Sequence, residues 1–354
     1  MSEIVLQHVK RHFLVAKLNR CLYYAWDPFK GRVTPASKFD RGWSRTFSIL
    51  GWGYVFLQIT GIYTSTAQLS EKIFMAALTW LYVACLVVGM EWNTDTSNLQ
   101  LMNLVYASTK YEEEAGHPGE DKRLAKIIHS VYGLLNLTAY VIFPSALALL
   151  LIMFPCQPPF LGSFLLHGDQ CSKTLFQSGS CIMVMKRIML IMFELMKLYR
   201  HVLAGMHYTM YVLLAGVLHF WQATSKFLYY SVLEGYRKLQ VLETILNASV
   251  RRRIFPAVLV LGPGMQIVSM FAYIKYHDVM KGSQLVFFLL LALDPTILNV
   301  MYCTGAGMVY GKSCKYLMGM KGKVKGKAEM KLLKSYAPLK VRFGGNFMDQ
   351  LTPL

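Results

Sequence analysis

The chain has 354 residues, 55% of them hydrophobic and only 16% charged, with a net charge of +18. So few charges, with a mean hydropathy of +0.37, point away from a soluble domain and towards an all-α, polytopic membrane bundle. The basic residues stand between long apolar runs without zinc spacing, RNP-like motif or base-reading helix, which excludes nucleic acid as a partner.

The first twenty residues, MSEIVLQHVKRHFLVAKLNR, lack the unbroken apolar core and small-residue cleavage site of a secretory signal. Residues 1–45 are therefore expected to form a cytoplasmic N-terminal segment. A helix needs about 20 apolar residues to cross the hydrocarbon core. Stretches 46–64 and 73–90 meet this without a charge. Stretch 127–155 follows, with Pro144 inside it, and 202–225 comes after KLYRH. Stretch 254–274 begins directly after Arg251, Arg252 and Arg253, and 283–311 carries a single charge, Asp294. A bundle of six spans over 46–311 is predicted.

Three segments qualify this pattern. Residues 181–201 are apolar but contain Lys186, Arg187, Glu194, Lys197 and Arg200. Charge at the centre of a span is costly, so this stretch is expected to extend the fourth helix, with Glu194 and Lys197 paired one turn apart. In 226–253, Leu228, Val232, Gly235, Leu239, Leu242, Leu246 and Val250 recur at three and four residues. That is an amphipathic cytoplasmic helix of about seven turns, suited to the membrane surface or to packing between subunits. Residues 312–354 form a basic cytoplasmic segment ending in APLKVRFGGNFMDQLTPL.

Loops assigned to one side hold 29 Lys and Arg, those on the other side eight. The positive-inside rule then places both the N-terminus and the basic tail in the cytoplasm, in a multi-pass protein of the plasma membrane.

Asp294-Pro295 is the most informative pair. An intramembrane Asp faces a cavity or a partner, and proline frees a carbonyl one turn back. The pair reads as a polar point in a ligand cavity, a gating kink, or a bond between helices. Gly262-Pro263-Gly264 in span five and TGAGMVYG (Thr304–Gly311) read as a kink or as close helix contacts. Aromatic residues fill the outer halves of the spans. Trp80 and Tyr82 lie in span two, Phe143 in span three, and His207, Tyr208 and Tyr211 in span four. Phe271 and Tyr273 lie in span five, and Phe287 and Phe288 in span six. Such a lining suits a small organic ligand; an interfacial belt with ordinary packing is the plainer reading. From this set Trp80, Tyr82, His207, Tyr208, Tyr211, Phe271, Tyr273, Phe288 and Asp294 are the expected ligand-binding residues.

Cys156, Cys171 and Cys181 share one outer loop, where a disulfide is expected. The seven cysteines include no CxxC pair, so neither a metal nor a cofactor is implied. Sequons at Asn136 and Asn247 fall in a span and in a cytoplasmic loop, out of reach of glycosylation. No HExxH, GxSxG or Walker A motif is present, which leaves an enzyme without support. A transporter would need paired broken helices, and only the 262–264 and 294–295 interruptions are available. Rhodopsin-type receptors carry N/D-P-x-x-Y, but DPTIL places Leu298 where tyrosine is required.

An N-in bundle, a helix-forming loop after span four and a basic segment leading to LKVRFGGNF together resemble the insect-type gustatory and odorant receptor superfamily. The resemblance is one of architecture over nearly the whole chain. It implies tetrameric, ligand-gated cation channels with seven helices. It also implies small ligands bound among spans two to six, an anchor domain below the membrane, and seventh helices lining a shared pore. The family's Thr-Tyr, five apolar residues, Gln-Phe signature of helix seven has no counterpart here. LKVRFGGNFMDQLTPL takes the place just before it, so the chain is expected to be truncated ahead of its pore helix.

Overall fold

The computed structural model describes residues 3–114, 122–166, 181–229, 233–280, 282–324 and 326–349. Helix α1 (Glu3–Asn19) buries Val5, Val9, Phe13 and Ala16 at helical spacing. A hairpin follows, β1 (Tyr24–Asp27) paired antiparallel with β2 (Arg32–Pro35). Asp27 Oδ1 accepts the N–H groups of Phe29 and Lys30 at 3.0 and 3.1 Å, which shapes the turn. Helix α2 (Lys38–Thr64) starts at a capping pair: the Asp40 N–H donates to Ser37 Oγ at 3.0 Å, and Ser37 Oγ–H donates to Asp40 Oδ2 at 2.7 Å.

Then come α3 (Leu69–Gly89), α4 (Thr96–Glu114), α5 (122–153), the short α6 (Gly162–Leu165) and α7 (181–229). Helix α8 (Leu233–Val250) leads to α9 (Ile254–Tyr276) and α10 (Gly282–Lys321), and α11 (Lys327–Ser335) precedes a second hairpin. There β3 (Arg342–Phe343) pairs with β4 (Asn346–Phe347) across Gly344 and Gly345. Gly344 has a φ of +53°, a conformation that glycine adopts without strain.

Four helical stretches are long and apolar enough to cross a membrane: Leu69–Gly89, Ala125–Met153, Ile254–Tyr276 and Gly282–Lys321. They correspond to the second, third, fifth and sixth expected spans. At a rise of about 1.5 Å per residue, the 40 residues of α10 reach roughly 60 Å, about twice the hydrocarbon thickness. Helices α2 and α7 lie outside that set, yet both pack against α3 within the bundle. Both turn an apolar stripe outward and bury polar or charged side chains beside apolar ones. Helix α2 buries Ser44, Gly51, Gln58 and Gly61 while exposing Ile49, Phe56 and Ile59. Helix α7 buries Arg187, Glu194, Lys197 and Arg200 while exposing Ile182, Met185, Met189, Met192 and Met196. Apolar side chains outward and charges inward are the arrangement that lipid, not water, favours.

The charged stretch 181–201 is continuous with the residues after it, as an extension of the fourth helix should be. Its charges are held by aromatic and backbone partners from other elements. Glu194 accepts from the Tyr54 hydroxyl at 2.6 Å and from the Leu161 N–H at 2.7 Å. Lys197 Nζ sits 3.2 Å from the centre of the Tyr54 ring. The Arg200 guanidinium lies over Phe47 and donates to the Arg20 carbonyl at 3.0 Å.

The amphipathic loop is used differently from the expectation. Helix α8 runs over Leu233–Val250 among the described residues, and its stripe Leu239, Leu242, Leu246 and Val250 is buried against α4 and the end of α7 in the same chain. That stripe is therefore not a free face for a neighbouring subunit or for lipid. The basic tail docks onto α8 as well. Asn247 donates to the Lys340 carbonyl at 2.9 Å and accepts from the Arg342 N–H at 2.8 Å, and the Tyr236 hydroxyl donates to the Ala337 carbonyl at 2.8 Å. Cys156 is disulfide-bonded, Cys181 is a free, exposed thiol, and Cys171 lies outside the described residues.

Candidate ligand cavity in the helix bundle

A cavity of about 170 Å³ lies between α3, α5, α7, α9 and α10. Small residues create it, because neighbouring helices meet there with little side-chain volume: Ala84 and Cys85 from α3, Ala139 from α5, Gly205 from α7, and Ala257 and Gly262 from α9. A Cβ on Gly205 would stand 3.2 Å from Cys85 Sγ, which shows how closely α3 and α7 approach. Leu81, Phe143, Met206, Met265 and Leu291 supply apolar walls.

Asp294 and Pro295 line the cavity directly. The Asp294 carboxylate faces the Thr138 hydroxyl of α5. Thr209 also lines the cavity, its hydroxyl donating to the Gly205 carbonyl at 3.0 Å. The volume is close to the roughly 150 Å³ of an apolar protein cavity that takes up benzene. A small, largely apolar ligand with one group able to meet a carboxylate fits this space.

The remaining expected ligand residues lie elsewhere. Trp80 is partly exposed on α3; its indole N–H donates to the Leu261 carbonyl at 3.2 Å and its ring packs on Gly264. That contact explains the Gly-Pro-Gly stretch as a close approach, and α9 runs helical through Pro263. Tyr82 is buried beside Tyr54 and His201. Phe288 is buried against Phe74 with ring centres 5.9 Å apart. Phe271 and Tyr273 are exposed on the outer face of α9.

His207, Tyr208 and Tyr211 belong to a second polar cluster. Residues His207–Leu214 are π-helical, and a widened turn leaves backbone carbonyls to be met by side chains. The Tyr106 hydroxyl donates to the Tyr211 carbonyl at 2.7 Å and the Tyr132 hydroxyl to the Met210 carbonyl at 2.9 Å. The His207 ring stacks on His12 of α1 at 5.6 Å, and Tyr211 packs against His12 at 4.5 Å. His12 Nδ1 pairs with the Tyr140 hydroxyl at 2.6 Å. Burial, then the neighbouring His207, hold His12 well below the usual imidazole range. The Tyr211 hydroxyl donates to Asn136 Oδ1 at 2.8 Å, and the Asn136 amide lies 3.0 Å from His8 Nδ1. Both sequon asparagines, Asn136 and Asn247, are thus engaged in the fold. No group of three or more His, Cys, Asp or Glu suited to a metal occurs among the described residues.

The aromatic pattern finds Phe143, and the buried-charge rule finds Asp294. The small residues Ala84, Cys85, Gly205, Ala257 and Gly262 carry no signal of their own. Only their pairing across helices, a deficit of volume at one level, marks them.

The described residues form a largely helical bundle, four of whose helices are long and apolar enough to cross a membrane, with an apolar cavity between them. No protein-family model matches the sequence, and no curated protein matches it. Among solved structures, the insect olfactory receptor OR5 from Machilis hrabei matches with a TM-score of 0.54. The match covers 98% of this chain and 93% of that one at 11% identity. The chain therefore has the fold of an insect olfactory receptor over almost its whole length.

Proposed function

We propose that the chain is a chemosensory receptor subunit of the insect gustatory and odorant receptor superfamily, acting in a ligand-gated cation channel of the plasma membrane. The observation that carries this is the fold match to an insect olfactory receptor across nearly all of both chains. An apolar cavity among the corresponding helices, with Asp294 as its one carboxylate, adds a place for the ligand. In this reading six helices cross the bilayer, α2 and α7 included, and both the N-terminal segment and the basic tail are cytoplasmic. The exposed apolar stripes of α2 and α7 support the count. The 29 to 8 split of basic residues and the disulfide of Cys156 on the opposite side support the orientation.

The ligand is a small organic molecule, and the working unit is a homo- or heterotetramer, as the resemblance implies. The resemblance also puts a pore-lining helix directly after the β3–β4 hairpin. The transcript beyond Leu354 tests that: about 20 apolar codons are expected, and an immediate stop codon counts against it.

Whole-cell recording tests the function. The chain is expressed alone and with other subunits of the superfamily, and exposed to small odorants and tastants. Ligand-evoked cation current is expected. Asp294→Ala, at matched surface expression, should raise the half-maximal concentration by about tenfold or more, as loss of a charged hydrogen bond would. Saturable uptake of substrate without current would overturn the channel reading in favour of a transporter.

A further inference from the structure

A second, larger recess of about 1270 Å³ lies where α8 turns into α9, between the end of α3 and the docked tail. Its lining mixes polar and apolar side chains, and five cations face three carboxylates across it. The carboxylates are already engaged within the fold. Glu91 accepts from Arg253 at 3.1 Å, from the Tyr24 hydroxyl at 2.9 Å and from Asn98 at 2.8 Å. Asp95 accepts the Ser97 N–H at 2.8 Å, and Glu243, beside Arg342, accepts the Lys340 N–H at 3.2 Å. Arg252 is exposed and makes no ion pair or hydrogen bond among the described residues.

Two further features favour an anion here. Helix α9 begins after Arg253, an N-cap that makes no side-chain cap bond, so the positive end of a 23-residue helix lies next to the recess that Arg253 lines. Ser249 also lines the recess, is 93% buried, and its hydroxyl has no partner among the described residues. A buried hydroxyl without a partner is costly unless a ligand supplies one.

We infer that this recess binds the phosphorylated headgroup of an anionic membrane lipid, with Arg251, Arg252, Ser249 and the start of α9 around the phosphate. The source is lipid because of the rim. Trp92, exposed and three residues past the end of α3, stands at the recess, where tryptophan marks the membrane interface. Trp52, midway along α2 and partly exposed, lines the recess beside it, its indole N–H 3.2 Å from Met90 Sδ. From Trp52 an exposed track of Phe56, Ile59 and Tyr63 continues along α2, a surface for acyl chains. The recess shares no lining residue with the ligand cavity.

The inference rests on the reading that the chain spans a membrane, so insertion is scored first, by resistance to carbonate extraction. A chain released by carbonate overturns both readings. An inserted chain is then purified in detergent, and bound lipid is measured by intact-complex mass spectrometry after equal additions of phosphatidylinositol 4,5-bisphosphate and phosphatidylcholine. Retention of the phosphoinositide is expected to exceed that of phosphatidylcholine by about tenfold. Arg252→Glu should abolish the preference, Arg252→Lys should keep most of it, and Ser249→Ala should weaken it. Equal retention of both lipids, or an unaffected Arg252→Glu variant, overturns the site. Binding of soluble inositol trisphosphate or inorganic phosphate, with no lipid retained, overturns the lipid assignment.

Discussion

The Tyr54 hydroxyl donates to the Glu194 carboxylate at 2.6 Å and ties α2 to α7 inside the bundle. The same ring carries Lys197 Nζ on its face at 3.2 Å. One tyrosine thus satisfies an acid through its hydroxyl and a base through its π-face. Tyr54→Phe removes only the first role and should cost about 1–3 kcal/mol. Tyr54→Leu removes both and should cost more. Thermal unfolding of the detergent-solubilised chain measures the difference, and an unchanged midpoint for both variants would contradict the arrangement.

Two glycines in α2, two residues apart, should respond in opposite directions to the same substitution. A Cβ on Gly51 would run into the His201 imidazole and stand 2.9 Å from Leu86, whereas one on Gly53 would meet nothing within 4 Å. His201 cannot readily yield, because its Nδ1 pairs with the Lys197 carbonyl at 2.7 Å. Overpacking costs about 1–3 kcal/mol, more than the roughly 1 kcal/mol that alanine gains over glycine in a helix. Gly51→Ala should lower stability and Gly53→Ala should leave it level or raise it, in the same unfolding assay.

Four long apolar helices were legible because lipid demands long apolar runs, and the charged stretch 181–201 because a buried Glu and Lys need an interior. The cavity was not legible. Its walls come from small residues on five helices, and no single helix shows that Gly205 will meet Cys85. His207, Tyr208 and Tyr211 were placed together in the outer half of span four by their aromatic character, with a regular helix taken for granted. The π-helical turn at 207–214 breaks that regularity and brings His207 and Tyr211 against α1. The amphipathic stripe of α8 was visible, but a stripe carries no record of what covers it. The cover includes bonds from the Asn247 side-chain amide to the backbone of a tail more than 90 residues later.

Acid should loosen α1 from the bundle. His12 is buried against His207 and Tyr211 of α7 and bonded to Tyr140 of α5, and its pKa is lowered well below the ordinary value. Below about pH 6.5 the unfolded chain takes up a proton that the folded chain refuses. Stability is therefore full above that pH and declines as pH falls, by up to about 1.4 kcal/mol per pH unit for one group. His8, also lowered by burial, then by His129 and Arg11, acts in the same direction. Denaturation midpoints between pH 7.5 and 5 should show this slope, and His12→Gln should flatten it. A slope unchanged by His12→Gln would place the titration elsewhere.

Thiol labelling on intact cells decides the orientation. Cys181 is a free, exposed thiol at the start of α7, on the side assigned to the exterior. Lys10 is exposed on α1, on the side assigned to the cytoplasm by the distribution of basic residues. A membrane-impermeant maleimide should modify Cys181 in intact cells, and Cys181→Ser should abolish the signal. In that background Lys10→Cys should react only after permeabilisation. Cys21 is deeply enclosed, and burial raises its thiol to about 12, so as a poor thiolate it adds little background. Labelling of Lys10→Cys in intact cells, with Cys181 protected until permeabilisation, would invert the topology. It would then also place the Arg251–Arg253 recess on the outer leaflet.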